Sequence, residues 1–398
     1  MLTNRQLFLR HLGQTTSAPL MLEIERAEGV YLYDHSGKKY IDLISGVSVS
    51  NTGHRHPRVV EAVKKQIDSY LHLMVYGEMI QTPQVMYAQR LASLLPPTLD
   101  NCYFVSSGSE AVEGALKLAK RFTGRTRIIY FKNAYHGSTH GALSVQGSDL
   151  YKNGFQPLLP DTWQIGFNDF GSLDAIDSKT ACVIVEPVQA EAGVIWPEKG
   201  FLEEIRKKCS EKGALLIFDE VQTGFGRLGT MFAIDRFGTV PDIIVFAKAL
   251  GGGMPLGAFI SSKEIMSAFI ADPQLGHITT FGGHPVCCAA GLASLEVIID
   301  EDLCSSCQEK SVLIKKELNH PLISEIRGEG LLLAVQLEKP DHVKYAISHA
   351  PEHGLVLDYF LFSESSFRIA PPLVINNEEI SLAVSKLNDL LNDASSNV

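Results

Sequence analysis

Two short apolar runs, each closed by a single charged residue, constrain this chain more than any other feature. Leu215-Leu216-Ile217-Phe218 ends in Asp219, and Ile243-Ile244-Val245-Phe246-Ala247 is followed by Lys248. Runs of this length, apolar throughout rather than alternating, suit strands of a parallel sheet covered on both faces. A charge where such a strand ends lies at the carboxyl edge of the sheet, where α/β proteins build their ligand sites. Asp219 and Lys248 are therefore expected to converge on one ligand.

That pair has a specific chemical use. A lysine amine can hold an aldehyde cofactor as a Schiff base, and an aspartate can keep a pyridine nitrogen protonated so that the ring accepts electrons. For an arbitrary Asp and Lys, an ion pair beneath a loop is the simpler reading, and the surrounding residues decide between the two. Asp219-Glu220-Val221-Gln222-Thr223-Gly224-Phe225-Gly226-Arg227, with Lys248-Ala249-Leu250-Gly251-Gly252-Gly253-Met254-Pro255-Leu256-Gly257, closely resembles the signature of class III pyridoxal-phosphate aminotransferases.

Composition narrows the setting. A chain of 398 residues is long for one core, which favours two domains. With 45% hydrophobic and 20% charged residues it has a globular profile, and a net charge of −10 argues against nucleic-acid or anionic-membrane partners. No segment is apolar for long enough to span a bilayer. Arg5 and Arg10 have no apolar core after them, so a signal peptide is not expected, and a mitochondrial presequence has only a weak case. The cytoplasm is the default. Seven scattered cysteines suit reduced thiols. Cys304 and Cys307 have redox-motif spacing without the strand–loop setting, and read as ordinary helix positions.

In chain order, residues 1–30 are mixed and unassigned. Gly29–Asp34 and Lys39–Asp42 read as a hairpin. Asn51-Thr-Gly-His-Arg-His-Pro57 leads into a helix; its two histidines lack further ligands at metal-site spacing and read as a turn, and no metal is expected. Cys102–Val105 reads as a strand, followed by Ser106-Ser107-Gly108-Ser109-Glu110 and a helix burying Val112, Ala115, Leu116, Ala119 and Phe122. The start of that helix can hold an anion, or be a plain capping box of Ser107 with Glu110. Arg127–Phe131 is a further strand, with Tyr135 just beyond it. Ala181–Val185 is a strand ending in the carboxylate of Glu186. A helical pattern runs from about residue 290, Ile326–Leu337 is strand-rich, Phe367–Leu373 is an isolated basic strand end, and the terminus is an amphipathic helix with a polar, frayed tail.

The resemblance covers nearly the whole chain. It implies fold type I: an α/β chain with a large domain (51–290) built on a mostly parallel sheet, and a smaller α/β domain from both termini (1–50 and 291–398). It implies pyridoxal 5'-phosphate and a homodimer with shared active sites. Carried over residue by residue, it makes Lys248 the covalent anchor and Asp219 the partner of the ring nitrogen. Val221 and Tyr135 would cover the two ring faces and Gln222 would approach the ring hydroxyl. Gly108, Ser109 and the partner's Thr280 would hold the phosphate, with Glu186 also at the cofactor. Arg368 would grip a keto acid's carboxylate, with Glu191 as its removable counter-ion. This favours an ω-amino donor (acetylornithine, ornithine or another ω-amino acid or amine) and 2-oxoglutarate as acceptor, in a ping-pong cycle. There are two departures: Ser138 stands where such members carry arginine, and Val47 where ornithine members carry tyrosine. An aminomutase or racemase on the same fold, and an amine:pyruvate transaminase, stay open as alternatives.

Overall fold

A computed structural model of the chain describes residues 2–398. Its centre is a seven-stranded sheet in the order Asn101–Val105, Gly257–Ser261, Ile243–Phe246, Leu215–Asp219, Thr180–Val185, Arg127–Phe131, Thr162–Ile165. The last five run parallel to one another. Only Gly257–Ser261 is reversed, pairing antiparallel with both neighbours.

The unbroken apolar runs have a direct cause. Leu216, Phe218, Ile244 and Phe246 face one core, while Ile217, Ile243 and Val245 face the other. Successive side chains point to opposite faces, so a strand covered twice needs apolar residues at every position. Each such side chain contributes roughly 1.5–3 kcal/mol when fully buried.

The helix Gly108–Thr123 covers one face, burying Val112, Ala115, Leu116 and Ala119. It lies close to the sheet: a Cβ on Gly114 would fall 2.2 Å from the Phe259 ring. Phe122, expected in the core, is instead 40% exposed in the last turn before the left-handed Gly124 cap.

Strand connections set the ligand edge. Arg127–Phe131 lies between Thr162–Ile165 and Thr180–Val185, so the chain crosses to one side and then returns to the other. The crevice beyond the carboxyl ends of such a pair is where open α/β sheets take ligands. Tyr135 and His136 follow one of these strands and Glu186 the other.

Both termini build smaller sheets. The hairpin Tyr31–Asp34/Lys39–Asp42 forms as expected and takes Leu355–Val356 as a parallel neighbour. Residues left unassigned supply a helix, Asn4–His11, capped by Thr3, and the edge strand Ile24–Glu28. A second sheet runs Ile323–Glu329, Leu332–Leu337, Ser363–Ile369, Asp358–Phe360. Arg368 is thus an interior strand residue, not an isolated strand end. The final helix extends over Asn377–Asn397, burying Ile380, Leu387, Leu391 and Ala394, so the frayed tail is helical.

Arg227 ties these parts together. Fully buried, it donates to Leu331 O (2.9 Å), Pro371 O (2.6 Å), Ser45 Oγ (3.1 Å) and Asn51 Oδ1. The histidines before Pro57 part company: His54 meets Asp42 at 2.8 Å and His56 meets Glu301 at 3.1 Å. Cys307 lies in the helix Ser306–Glu317, with Cys304 in the turn before it; both are free thiols. No helix among the described residues is long and apolar enough to cross a membrane.

Candidate active site

Asp219 and Lys248 leave adjacent strands and border one cavity of about 520 Å³. Asp219 is held from two sides: Oδ2 lies 2.7 Å from His136 Nδ1, and Oδ1 accepts from Val221 N at 3.0 Å. Both Asp219 and His136 are buried, and His136 Nε2 has no hydrogen-bond partner among the described residues. His136 was passed over in the sequence, where only its position next to Tyr135 hinted at a role.

Lys248 opens a short 3₁₀ turn with a left-handed φ of 52°, unusual for a side chain with a Cβ. Its side chain lines the cavity. Burial pushes the amine down to about 8; Glu191, Asp219 and Glu186 oppose the shift, and Arg368 adds to it. A lysine so placed is partly neutral near neutral pH, as a nucleophile or proton carrier needs to be.

The opposite wall is the start of the helix Gly108–Thr123. Ser107 Oγ accepts from Glu110 N (3.2 Å), but Glu110 returns to Ser106 N (2.7 Å) rather than to Ser107. Half of the capping box is therefore present, and Ser106–Ser109 still line the cavity. Gly108 leaves no slack: an added Cβ would meet Ala247 Cβ at 3.3 Å and Val221 at 3.5 Å. Gly137, at φ 126°, brings its backbone so close that a Cβ would lie 2.2 Å from Ser109 Oγ. Ser138 N donates to that same oxygen at 3.2 Å.

Glu186 sits behind Tyr135, accepting from Tyr135 N (2.8 Å) and Ala190 N (3.2 Å). Burial, and then the Asp219 charge, push its carboxyl well above the usual range. Glu220, which the sequence reading left without a role, is likewise buried and raised to about 8 by burial. It caps Ala233 and Ile234 N–H groups, a structural duty.

Glu191 and Arg368 form a buried ion pair of 2.5 Å beside the cavity rather than on its wall. Gln222 connects the two sites: it lines the cavity and donates to Glu191 Oε1 at 2.7 Å. Gln222 Oε1 has no hydrogen-bond partner among the described residues. Thr280 is exposed on a loop and does not line the cavity of its own chain. From the segment before Gly53, Val49 reaches the cavity rather than Val47.

The donor set suits pyridoxal phosphate. The first turn of a 16-residue helix faces the cavity with glycine at its closest approach, which fits a phosphate. A buried carboxylate with a lone pair to spare fits a pyridinium, and a desolvated amine fits an aldehyde.

Comparison with known proteins agrees. The family model "Aminotransferase class-III" matches residues 13–391. The acetylornithine aminotransferase of Methanopyrus kandleri is 40% identical over 369 residues, 92% of this chain and 92% of the relative. The crystal structure of ornithine aminotransferase from Toxoplasma gondii superposes with a TM-score of 0.91 at 29% identity, covering 100% of this chain and 97% of that one. The omega transaminase of Pseudomonas jessenii in complex with PMP gives 0.91 at 28% identity, covering 99% of each. With its parallel sheet, its amine and its carboxylate disposed in this way, the chain belongs to the class III aminotransferases and is a pyridoxal-phosphate-dependent transaminase.

Proposed function

We propose that this transaminase moves an amino group from an ω-amino donor to 2-oxoglutarate, with Glu191 and Arg368 deciding which substrate end is read. The buried 2.5 Å pair carries this reading. While it is closed, Arg368 is not free to bind a carboxylate, which suits an amine or uncharged end. When Glu191 withdraws, Arg368 can take the keto acid's carboxylate in a bidentate fork. Three donors hold Glu191 in the closed state: Arg368, Gln222 and Leu361 N at 3.2 Å. The resemblance to acetylornithine aminotransferases supports a donor of that kind.

Bound pyridoxal phosphate supplies an aldehyde that takes up amines covalently and a ring that accepts electrons when a bond at the amine-bearing carbon breaks. Lys248 would anchor it and, once released, would be the group that moves a proton at the substrate carbon. Asp219 would keep the ring nitrogen protonated, with His136 holding that carboxylate in place. Val221 and Tyr135 would cover the ring faces, with the Tyr135 backbone held by Glu186, and Gln222 would reach the ring hydroxyl. Gly108, Ser109 and the partner subunit's Thr280 would hold the phosphate, which makes the working form a homodimer, placed here in the cytoplasm. Residues 51–290 make the cofactor domain and both termini the smaller one. The pairing of Leu355–Val356 with Ile41–Asp42 supports that division.

The test is an acceptor screen with ω-amino donors, following the cofactor spectrum. 2-Oxoglutarate is expected to exceed pyruvate clearly. A clear preference for pyruvate would overturn the reading and favour an amine:pyruvate transaminase, for which the exposed Ser138, in place of a cationic side chain, is the supporting observation.

A further inference from the structure

Arg368 has a second acidic partner besides Glu191. Asp358 and Arg368 stand directly opposite each other in the antiparallel pair of Asp358–Phe360 with Ser363–Ile369. Directly opposed residues share a face of the sheet, which brings Asp358 Oδ2 to 3.3 Å from Arg368 Nη1. Beyond a register shift after Tyr359, the Phe360 ring lies 4.7 Å from the guanidinium carbon. On the other flank Arg368 pairs with Ala334, which leaves space for the long side chain.

The guanidinium is therefore divided. Nη1 belongs to Asp358, Nη2 belongs to Glu191, and the buried Nε has no hydrogen-bond partner among the described residues. A guanidinium offers carboxylates two parallel N–H bonds along one edge. If Glu191 leaves, the edge released is Nε with Nη2, while Nη1 is still occupied. We infer that Asp358 is a positioning residue for acceptor specificity, anchoring Arg368 through Nη1 so that its Nε–Nη2 edge is the one that takes the substrate carboxylate. This rests on the reading of Arg368 as the acceptor's carboxylate site. Asp358 is 31% exposed and Glu191 6%, so Arg368 is held between an outer and an inner acid.

The experiment compares holoenzyme variants in the two half-reactions, using 2-oxoglutarate and a carboxylate-free amine, each followed by the cofactor spectrum. Asp358→Ala is expected to raise KM for 2-oxoglutarate about tenfold, the scale of one hydrogen bond to a charged group, with kcat within about twofold. The amine half-reaction is expected to be unchanged. Asp358→Asn keeps an oxygen at the same place and is expected to restore most of the KM, which separates anchoring from charge. Asp358→Ser, too short to reach Nη1, replaces the alanine variant if that protein does not fold. Arg368→Ala is the control. If it raises KM and Asp358→Ala does not, or if the Asn and Ala variants behave alike, the anchoring inference is overturned and the Arg368 reading stands. If Arg368→Ala leaves KM unchanged, the reading itself fails and the inference falls with it.

Discussion

The Nδ1 of His136 stands 2.7 Å from Oδ2 of Asp219, and both side chains are sealed from solvent. The carboxylate that ends the strand Leu215–Asp219 is thereby clamped between this imidazole and Val221 N, leaving little freedom to rotate. A hydrogen bond to a buried charged group is worth about 1.5–3 kcal/mol. Asp219→Asn is accordingly expected to bind cofactor yet lose roughly ten- to a hundredfold or more in rate. His136→Ala should give a smaller loss in the same direction, together with an altered cofactor spectrum. An unchanged rate in Asp219→Asn would remove that residue from the ring nitrogen.

Lys248 carries a pH prediction. Burial brings its amine down to about 8, and the neutral amine is the form that attacks an aldehyde. Cofactor uptake by the apoprotein should rise with pH through about 8 and level off above it. In the unfolded chain the amine titrates near its ordinary value of about 10.4. Between about 8 and 10 the unfolded state therefore binds the extra proton. Apoprotein stability should then increase with pH across that window and show no such slope in Lys248→Ala. A flat uptake profile from pH 6.5 to 9.5 would contradict both.

Much of this site was legible because it lies in local sequence. Asp219 and Lys248 close runs whose composition reports burial on both faces, and Gly108–Ser109 open a helix with an evident period. What escaped depends on register and on contacts between distant segments. Asp358 meets Arg368 only because two strands align, and His136 meets Asp219 across 83 residues. Phe122 continues the apolar spacing of its helix yet is exposed in its last turn, where periodicity no longer reports burial. The polar residues after Leu391 gave no sign that Ala394 is buried and the helix continues.

Arg227 closes the run that begins at Asp219, yet its contacts are backbone carbonyls and neutral side chains. Burial lowers it to about 10, so it stays charged at neutral pH. Removing it strands several buried acceptors at about 1–3 kcal/mol each. Arg227→Ala should therefore lower the thermal midpoint sharply, and Arg227→Lys should not rescue it, because an ammonium lacks the planar fork. Wild-type stability in Arg227→Ala would refute this structural role.

Thr280 leads to a prediction about assembly. Beside it in the chain, Phe281 is 58% exposed and Ile278 51%. Large exposed apolar side chains in one region suit a partner surface. Sedimentation should find a dimer at assay concentration, and Thr280→Ala should weaken cofactor retention without dissociating it. A fully active monomer would be incompatible with a phosphate contact from the second chain.

Glu191 gives the most direct test of substrate choice. Its carboxylate takes Arg368 Nη2, Gln222 Nε2 and Leu361 N, the contacts that the proposed exchange with substrate would have to break. Glu191→Ala leaves Arg368 open to any carboxylate that enters, and an α-amino acid brings one to the position the ω-amino donor leaves uncharged. Breaking a buried pair commonly costs 3–5 kcal/mol, because a charge is left without a partner. Here Asp358 still faces Nη1, so the penalty should fall at the low end and the protein should remain folded. Glutamate should gain over the ω-amino donor by roughly ten- to a hundredfold in kcat/KM, at about 1.4 kcal/mol per tenfold. Glu191→Gln, which keeps the shape without the charge, should shift preference in the same direction by less. Single-turnover rates with each donor measure the ratio directly. An unaltered ratio in both variants would mean that the ion pair is structural and that donor choice is made elsewhere in the pocket.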